Sequence, residues 1–400
     1  MKKQLIFTKH VIGKVVNAVG GGQMNTFSAV GDINGDGRLD FALCGRNGVM
    51  VWLENKGDER PWEVHFVDNV ENQECGGSLI DLTGNGLLDI INGSDSSGET
   101  ISWWENPGRG AKGGSWTRHL IANTGLHQFH DTLIGDVTND GTLTLVFSNQ
   151  IGGTNIYRIP IPKNPYTSPW PGLEIVSAGM FEPNPYHRWN PAKIQPEEGL
   201  ALGDVDNDGK NELVCGTHWY KYNGKSWEGH RFTAGYLTTK VAIGDVDGDG
   251  KNEIVLSEGD PYIYGRHEGG RLAWFKPGQD GIHAVWVEHL VDEHLLDAHS
   301  LVLADLCGNG RRDMFVAEIG AADEETDMYV VRAPRLMIYE NDGHGSFKRH
   351  IIDEGTGTHE AVLVDLRKTG RLDILGKPLH GPEKWNIHAW YNESEEICIS

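Results

Sequence analysis

The sequence predicts an all-β fold, a seven-bladed β-propeller whose last blade is completed by the N-terminal strand. One observation is an acidic turn motif that occurs seven times, and another is that each copy lies between two short apolar runs of strand length. The first aspartates of the copies are Asp32, Asp81, Asp136, Asp204, Asp245, Asp305 and Asp365, at intervals of 41 to 68 residues. A four-stranded blade with variable loops has such a period. Residues 1–400 are therefore predicted to form a single propeller domain.

The fourth and fifth copies of the motif are the most acidic. Each has aspartates at three alternate positions, then a glycine and a further carboxylate. Neighbouring carboxylates repel one another unless a cation lies among them, and calcium takes about six to eight oxygen ligands. The sequence predicts structural calcium in these two turns and in the first, on Asp204, Asp206, Asp208 and Glu212, on Asp245, Asp247, Asp249 and Glu253, and on Asp32, Asn34, Asp36 and Asp40.

The other four copies lack part of this ligand set, so few further calcium sites are expected there. Their substitutions are Thr83 and Asn85, Thr138 and Thr144, Cys307 and Asn309, and Arg367 and Thr369.

Two further signatures complete each repeat. A Trp-rich run such as Ile101–Glu105 follows the second strand, and a run with a histidine followed by Leu, Ile or Phe comes after that one. The histidines of the fourth-strand signature (His65, His119, His289 and His350) are interpreted as structural residues of an outer strand, because a recurring strand position is usually a packing position.

The N-terminus carries the fourth-strand signature before the first turn motif. The seventh repeat supplies only three strands, so Leu5–Ile12 is predicted to complete the last blade. Closing the ring in this way removes the open edge of the sheet array.

These turns and strands resemble the FG-GAP/VCBS repeat family, which includes integrin-type and carbohydrate-active propellers. The resemblance extends over essentially the whole chain and implies calcium in some blade turns. In whole-repeat character the chain is most similar to sugar-active propellers, the aldos-2-ulose dehydratases and the rhamnose–glucuronate polysaccharide lyases. The resemblance implies a saccharide substrate, either a keto-sugar or a uronate-containing saccharide.

Composition excludes other classes of partner. The formal net charge of −22 and the pI of about 5.2 argue against nucleic acid and anionic membranes. The five cysteines follow no framework spacing and their count is odd, which favours a reducing, cytoplasmic compartment. A secreted form whose leader is absent from this sequence is the alternative, because calcium turns are commoner in exported proteins.

The residue six places before each motif aspartate begins the innermost strand of its blade, at the end of the ring opposite the turns. In order these residues are Thr26, Cys75, His130, Glu198, Thr239, His299 and His359. Three imidazoles and a carboxylate at equivalent positions should converge on the axis and suit zinc or manganese. The adjacent acids Asp131, Asp297 and Glu360 could orient the imidazoles. The alternative is that the histidines only hydrogen-bond to backbone around the channel.

Polar loops on the same face extend the candidate site. They contribute His218, Tyr264 and Arg266, and the insertions 181–198 and 320–334 are expected to wall the mouth. With His130, His299 and His359, these are the predicted catalytic residues. No nucleophile motif is present, and a metal beside His and Tyr suits proton abstraction next to a carbonyl.

The function predicted from these residues is a carbon–oxygen lyase, either a polysaccharide lyase or a sugar dehydratase, that works by metal-assisted β-elimination. A hydrolytic or isomerising sugar enzyme would use the same histidines with different proton donors. A non-catalytic, integrin-like calcium-binding propeller for protein or glycan binding is the alternative outside the enzymes.

Overall fold

The residues that the structure describes form seven four-stranded antiparallel sheets and one short two-stranded sheet. The structure is a computed structural model that describes residues 3–16, 24–46, 48–57, 61–69, 73–108, 115–179, 198–323 and 325–396. Across these residues every regular element is a strand, and none is a helix that could span a membrane. The predicted all-β, seven-bladed propeller is confirmed.

The first four blades follow one another along the chain. Blade one contains β3 (Met24–Gly31), β4 (Asp40–Arg46), β5 (Met50–Glu54) and β6 (Glu63–Asp68), and blade two contains β7 (Gln73–Ile80), β8 (Asp89–Ser94), β9 (Thr100–Glu105) and β10 (Thr117–Asn123). Blade three contains β11 (His127–Gly135), β12 (Thr144–Ile151), β13 (Asn155–Pro160) and β14 (Glu174–Ala178), and blade four contains β15 (Leu200–Gly203), β16 (Glu212–Cys215), β17 (His218–Tyr222) and β18 (Trp227–Arg231).

The last three blades complete the ring. Blade five contains β19 (Thr239–Gly244), β20 (Glu253–Glu258), β21 (Gly270–Lys276) and β22 (Val287–Leu295), and blade six contains β23 (Ala298–Ala304), β24 (Asp313–Glu318), β25 (Arg335–Asn341) and β26 (Phe347–Glu354). Blade seven contains β27 (Val362–Val364), β28 (Asp373–Gly376), β29 (Asn386–Asn392) and the N-terminal β2 (Phe7–Lys14), while β1 (Lys3–Gln4) pairs with β30 (Glu395–Glu396).

The N-terminal strand closes the ring as the sequence predicts. Strand β2 pairs with β29 from Phe7 opposite Asn392 to Lys14 opposite Asn386, with a bulge between Val11 and Gly13. Without β2, the backbone groups of β29 on that side would form an open edge.

The first strands of the blades line the axis. Strand β7 contacts both β3 and β11, β19 contacts both β15 and β23, and β27 contacts β3. The second strands lie just outside them, and every residue of β8, β20 and β24 is buried.

The hydrophobic core lies between the blades. Leu43 and Leu53 of blade one pack with Leu375 of blade seven, and Phe315 of blade six packs with Trp390 of blade seven. Each blade therefore buries its faces against its two neighbours, as expected for a closed ring.

The outer-strand histidines pack as structural residues. His119 stacks on Trp103 with ring centroids 4.3 Å apart and contacts Glu105 at 3.1 Å. His65 stacks on Trp52 and pairs with Glu54 in the same way.

Candidate metal and catalytic site at the channel axis

Four of the aligned residues converge on the axis as predicted. His130 lies in β11 and His299 in β23, while Glu198 precedes β15 by two residues and His359 precedes β27 by three. Each of the four residues has at most 5% of its surface exposed to solvent. Their positions come from blades three, four, six and seven, so the closed ring brings together residues that are distant in sequence.

β-Bulges mark the aligned position in several first strands. The ladder between β11 and β12 shifts between Phe129 and Thr132, and the ladder between β23 and β24 shifts between Ala298 and Ser300. His130 and His299 therefore sit at bulges, which commonly re-aim a side chain beside a functional site. Thr26 of β3 occupies the same kind of shift.

Left-handed backbone conformations cluster beside the same positions. Gln128, Thr238, Asp297 and Glu360 have positive φ values between 47° and 61°, although none is glycine. Each lies within two residues of an aligned position. A non-glycine residue held in this region costs about 1–3 kcal/mol and is concentrated at functional sites.

The side chains of the axial group are in contact range. His130 Nε2 lies 3.7 Å from Glu198 Oε2, and the His130 and His359 ring centroids are 6.4 Å apart. His299 stacks on His359 with centroids 5.0 Å apart, and its Nε2 lies 3.3 Å from Asp260 Oδ1. One ligand atom from each of Glu198, Asp260 and His299 can be chosen so that all three lie within 4.8 Å of one another.

A buried lysine connects two of the adjacent acids. Lys240 Nζ lies 3.3 Å from Glu360 and 3.5 Å from Asp131, and Asp131 in turn hydrogen-bonds to His130 Nδ1 at 3.0 Å. Asp131 also accepts the backbone N–H of Gly199. Asp131 and Glu360 thus stand beside the imidazoles, where the sequence placed them as orienting acids.

Burial and neighbouring charges separate the protonation behaviour of the histidines. Burial disfavours the charged form of His130, but Glu198 and Asp131 outweigh it and raise the pKa to about 9. Burial lowers the pKa of His299 to about 4 and that of His359 well below its usual value. Burial also raises the pKa of Glu198 to about 7, while Lys240 and His130 hold the pKa of Asp131 low against the effect of its own burial.

Two buried atoms of the axial group lack hydrogen-bond partners. They are Glu198 Oε2 and His359 Nδ1, considering the residues that the structure describes. A buried unsatisfied acceptor costs about 1–3 kcal/mol, so such atoms are rare unless a ligand or water completes them. Imidazole and carboxylate donors of this kind fit a divalent transition metal better than calcium.

Some residues of the site were not among the predicted catalytic or metal-binding residues. Gln150 donates a hydrogen bond from Nε2 to Glu198 Oε1, and Asp260 faces His299. Lys240 directly follows the aligned Thr239, the place that Asp131 and Glu360 hold in their blades. That equivalence is a sequence signal that could have identified it.

The predicted loop residues are placed differently. Arg266 pairs with the buried Glu258 and donates to the Gly269 carbonyl, which makes it part of the loop's own structure. The Tyr264 backbone N–H donates to the Asp260 carbonyl at 3.1 Å. His218 contacts the Thr217 hydroxyl at 3.0 Å and stacks against Tyr220. Residues 181–197 of the predicted wall lie outside the described residues.

The environment of His218 predicts an acid-dependent loss of stability. Burial lowers its pKa to about 4, so below the ordinary value of 6.5 the unfolded chain binds more protons than the folded one. The contribution is complete above about pH 6.5 and decreases as the pH falls towards 4. We expect His218→Gln to lose less melting temperature than the wild type between pH 7.5 and pH 5, measured by thermal denaturation. The same change at the exposed His344 is the control, and an equal response in both variants would contradict the prediction.

The acidic turns share one hydrogen-bonded frame at the other end of the ring. The first aspartate accepts the backbone N–H five residues on and another three or four residues on, as Asp32 does from Gly37 and Asp36 at 2.8 and 2.9 Å. The last acid accepts the N–H that follows the first aspartate, as Glu212 does from Val205 at 2.9 Å.

Two of the turns bring together acids that could hold a metal ion, namely Asp204, Asp206 and Glu212, and Asp245, Asp247 and Glu253. In the first turn, Arg38 pairs with Asp36 at 2.5 Å. Calcium itself stays a prediction for all three turns.

Comparison with known proteins supports the repeat and the fold. Residues 204–256 match the model of the FG-GAP-like repeat family, and this segment contains the fourth and fifth turns. No curated protein sequence matches the chain.

Similar solved structures include two polysaccharide lyases. Rhamnogalacturonan lyase YesW is 12% identical, with a TM-score of 0.48, over 96% of this chain and 76% of that one. The Bacillus licheniformis rhamnogalacturonan lyase is also 12% identical, with a TM-score of 0.45, over 95% of this chain and 75% of that one. BBS1N, solved in complex with ARL6DN, is 8% identical, with a TM-score of 0.50, over 94% of both chains. At 8% identity, the likeness to BBS1N is one of fold alone.

Proposed function

We propose that the axial group is the catalytic centre of a carbohydrate-active carbon–oxygen lyase that acts by β-elimination on a uronate-containing or keto-sugar substrate. The observation that carries the proposal is the convergence of His130, Glu198, His299 and His359, all buried, with Glu198 Oε2 and His359 Nδ1 lacking hydrogen-bond partners among the described residues.

A purely structural role explains this group poorly. Burying ionisable side chains costs free energy unless they are fully paired. Well-packed apolar residues would fill an axial channel without this cost in free energy. The adjacent left-handed residues add a further cost. Such an accumulation of strain and unsatisfied polar atoms is characteristic of a site that completes itself with a ligand.

The residues suited to hold a divalent metal are His299, Glu198 and Asp260, with His359 stacked against His299. A zinc or manganese ion bound there would polarise a substrate carboxylate or carbonyl and so acidify the proton on the adjacent carbon. The histidine–carboxylate composition is the basis of this assignment.

His130 and His359 are the candidates for proton transfer. His130 is oriented through Nδ1 by Asp131 at 3.0 Å, which leaves its Nε2 directed towards Glu198. It is placed to donate a proton to the departing oxygen. His359 Nδ1, which is free of hydrogen bonds to the described residues, is placed to accept the carbon-bound proton.

Lysines around the site fix its shape and suit an acidic sugar. Lys377 Nζ donates to the carbonyls of Thr26 and His359 at 2.9 Å each, which ties blade seven to blade one beside the site. Lys240 supplies a positive charge between Asp131 and Glu360. These charges favour an anionic or strongly polar ligand over an apolar one.

The test is a metal analysis combined with an elimination assay on the wild-type protein. Protein purified without chelator should contain about one equivalent of zinc or manganese, as expected for one such centre. Rhamnogalacturonan, polygalacturonate and a keto-sugar are then the probes, and a β-elimination product is followed through the ultraviolet absorbance of its new conjugated double bond. Protein that carries no transition metal and eliminates none of these substrates would overturn the proposal in favour of a non-catalytic binding propeller.

A further inference from the structure

We propose that Lys221 and Lys276 are tethered cations that fill the fourth and fifth acidic turns, so that calcium enters these turns only by displacing an ammonium group. This inference concerns the end of the ring opposite the axial site and does not depend on the proposed function.

Lys221 reaches into the fourth turn from strand β17. Its Nζ hydrogen-bonds to Asp206, lies 2.6 Å from Asp208 Oδ2 and lies 3.5 Å from Glu212 Oε1. Three of the four carboxylates predicted to bind calcium thus surround the ammonium group. Asp204, the fourth, is engaged by the backbone N–H groups of the turn.

Lys276 repeats the arrangement in the fifth turn. From the end of β21, its Nζ hydrogen-bonds to Asp247 and lies 3.1 Å from Asp249 Oδ2. Strand pairing shows the equivalence of the two lysines. Tyr220 pairs with Leu213 and Phe275 pairs with Ile254, and each lysine is the next residue along its strand.

The other blades place a different residue at this position. In blades one, two and six it is Glu54, Glu105 or Glu340, and each of these pairs with the fourth-strand histidine of its own blade. Lysine therefore occurs in the two blades whose turns carry the full set of acids. A positive charge on the third strand therefore accompanies the most negatively charged turns.

In blade seven, an arginine of the turn itself neutralises the acids. Arg367 replaces the second acid of its turn, and its guanidinium pairs with Asp373, the counterpart of Glu212, at 3.0 Å. It also pairs with Glu393 at 2.5 Å. A cation supplied by the chain is thus a repeated feature of this protein's turns.

The chemistry of the two cations makes them competitors. An ammonium group carries one charge and three donors, whereas calcium carries two charges and takes about six to eight oxygens. Lysine is favoured because it is already tethered, so it does not lose translational freedom on binding. Glu212 Oε1 is buried and has no hydrogen-bond partner among the described residues, which leaves an acceptor that a larger ion could use. The turn can therefore exchange one cation for the other.

The test compares calcium binding by Lys221→Met and Lys276→Met with the wild type. Each variant should bind calcium at its own turn at least about tenfold more tightly, because the competing charge is gone. Its melting temperature should fall in a chelator and recover with calcium. Lys210→Met and Lys251→Met remove a charge from the same turns at exposed side chains, so they are the matched controls and should resemble the wild type.

Amine labelling of the wild type tests the same idea without a substitution. In a chelator, Lys221 and Lys276 should react with an acylating reagent more slowly than Lys210, and millimolar calcium should accelerate their reaction specifically. Equal calcium affinity in the lysine variants and the wild type would overturn the proposal. So would labelling of Lys221 at the rate of Lys210 in the chelator.

Discussion

His299→Ala is expected to lose the transition metal and at least about 100-fold of the elimination rate. His299 forms one cluster with both potential carboxylate ligands, since its Nε2 lies 3.3 Å from Asp260 Oδ1 and ligand atoms of Glu198, Asp260 and His299 lie within 4.8 Å of one another. Removing even an outer-shell partner of a metal centre costs about 10–100-fold in affinity or activity, so loss of a direct ligand should cost at least as much. Metal content by mass spectrometry and the ultraviolet elimination assay measure the two effects separately.

A matched control distinguishes loss of the site from loss of the fold. His350→Ala removes the same side chain from the outer strand β26, where it pairs with Glu340 at 2.8 Å. That variant should keep metal and activity, and both variants should keep cooperative melting. His130→Ala and His359→Ala should lose elimination activity like His299→Ala but keep the metal, because these two histidines are assigned to proton transfer. If all three axial variants retain metal and activity, the histidines are channel packing.

Deletion of residues 1–14 is expected to abolish the single cooperative unfolding transition or cause aggregation. The deletion removes β2, which pairs with β29 along its whole length and carries the buried Ile12. Blade seven would then expose an unpaired edge, which is a template for association between chains. The net free energy of unfolding of a domain is about 5–15 kcal/mol. The contacts of one whole strand of a blade therefore contribute a large fraction of it. Calorimetry and light scattering provide the measurements.

A shorter deletion is the control for the truncation. Removing residues 1–4 takes away only β1, whose ladder with β30 has two residue pairs, and should change the melting temperature little. A synthetic peptide of residues 5–16 added to the longer deletion should restore the transition. If the longer deletion melts like the wild type, the ring is closed by another segment.

Local chemistry made the fold predictable. Each turn needs an aspartate that can accept several backbone N–H groups, then a glycine with positive φ, as Gly37 and Gly209 have. These requirements repeat in every blade, so seven copies of the motif are visible in the sequence. The unpaired third strand of the last repeat likewise implied that the N-terminal run would complete it.

The axial group was predictable only up to its alignment. Equivalent positions in a closed ring must face the same axis, and the alignment alone therefore predicts that His130, Glu198, His299 and His359 lie together. The metal-ligand pattern does not include Lys240, because lysine is not a usual metal ligand, and only its equivalence to Asp131 and Glu360 in the repeat points to it. Its ion pairs with Asp131 and Glu360 join blades three, five and seven.

The sequence by itself determined the number of blades, the closing strand, the acidic turns and the residues aligned at the axis, because all of these depend on short-range patterns that repeat. Tertiary structure decided what those residues touch. The bulges at His130 and His299 aim the imidazoles, and Arg266 turns to Glu258 instead of the axis. It also decided that Lys221 and Lys276 fill the turns. The physical reason is that a charged side chain pairs with the nearest opposite charge in space. The packing of strands and loops determines which charges are neighbours.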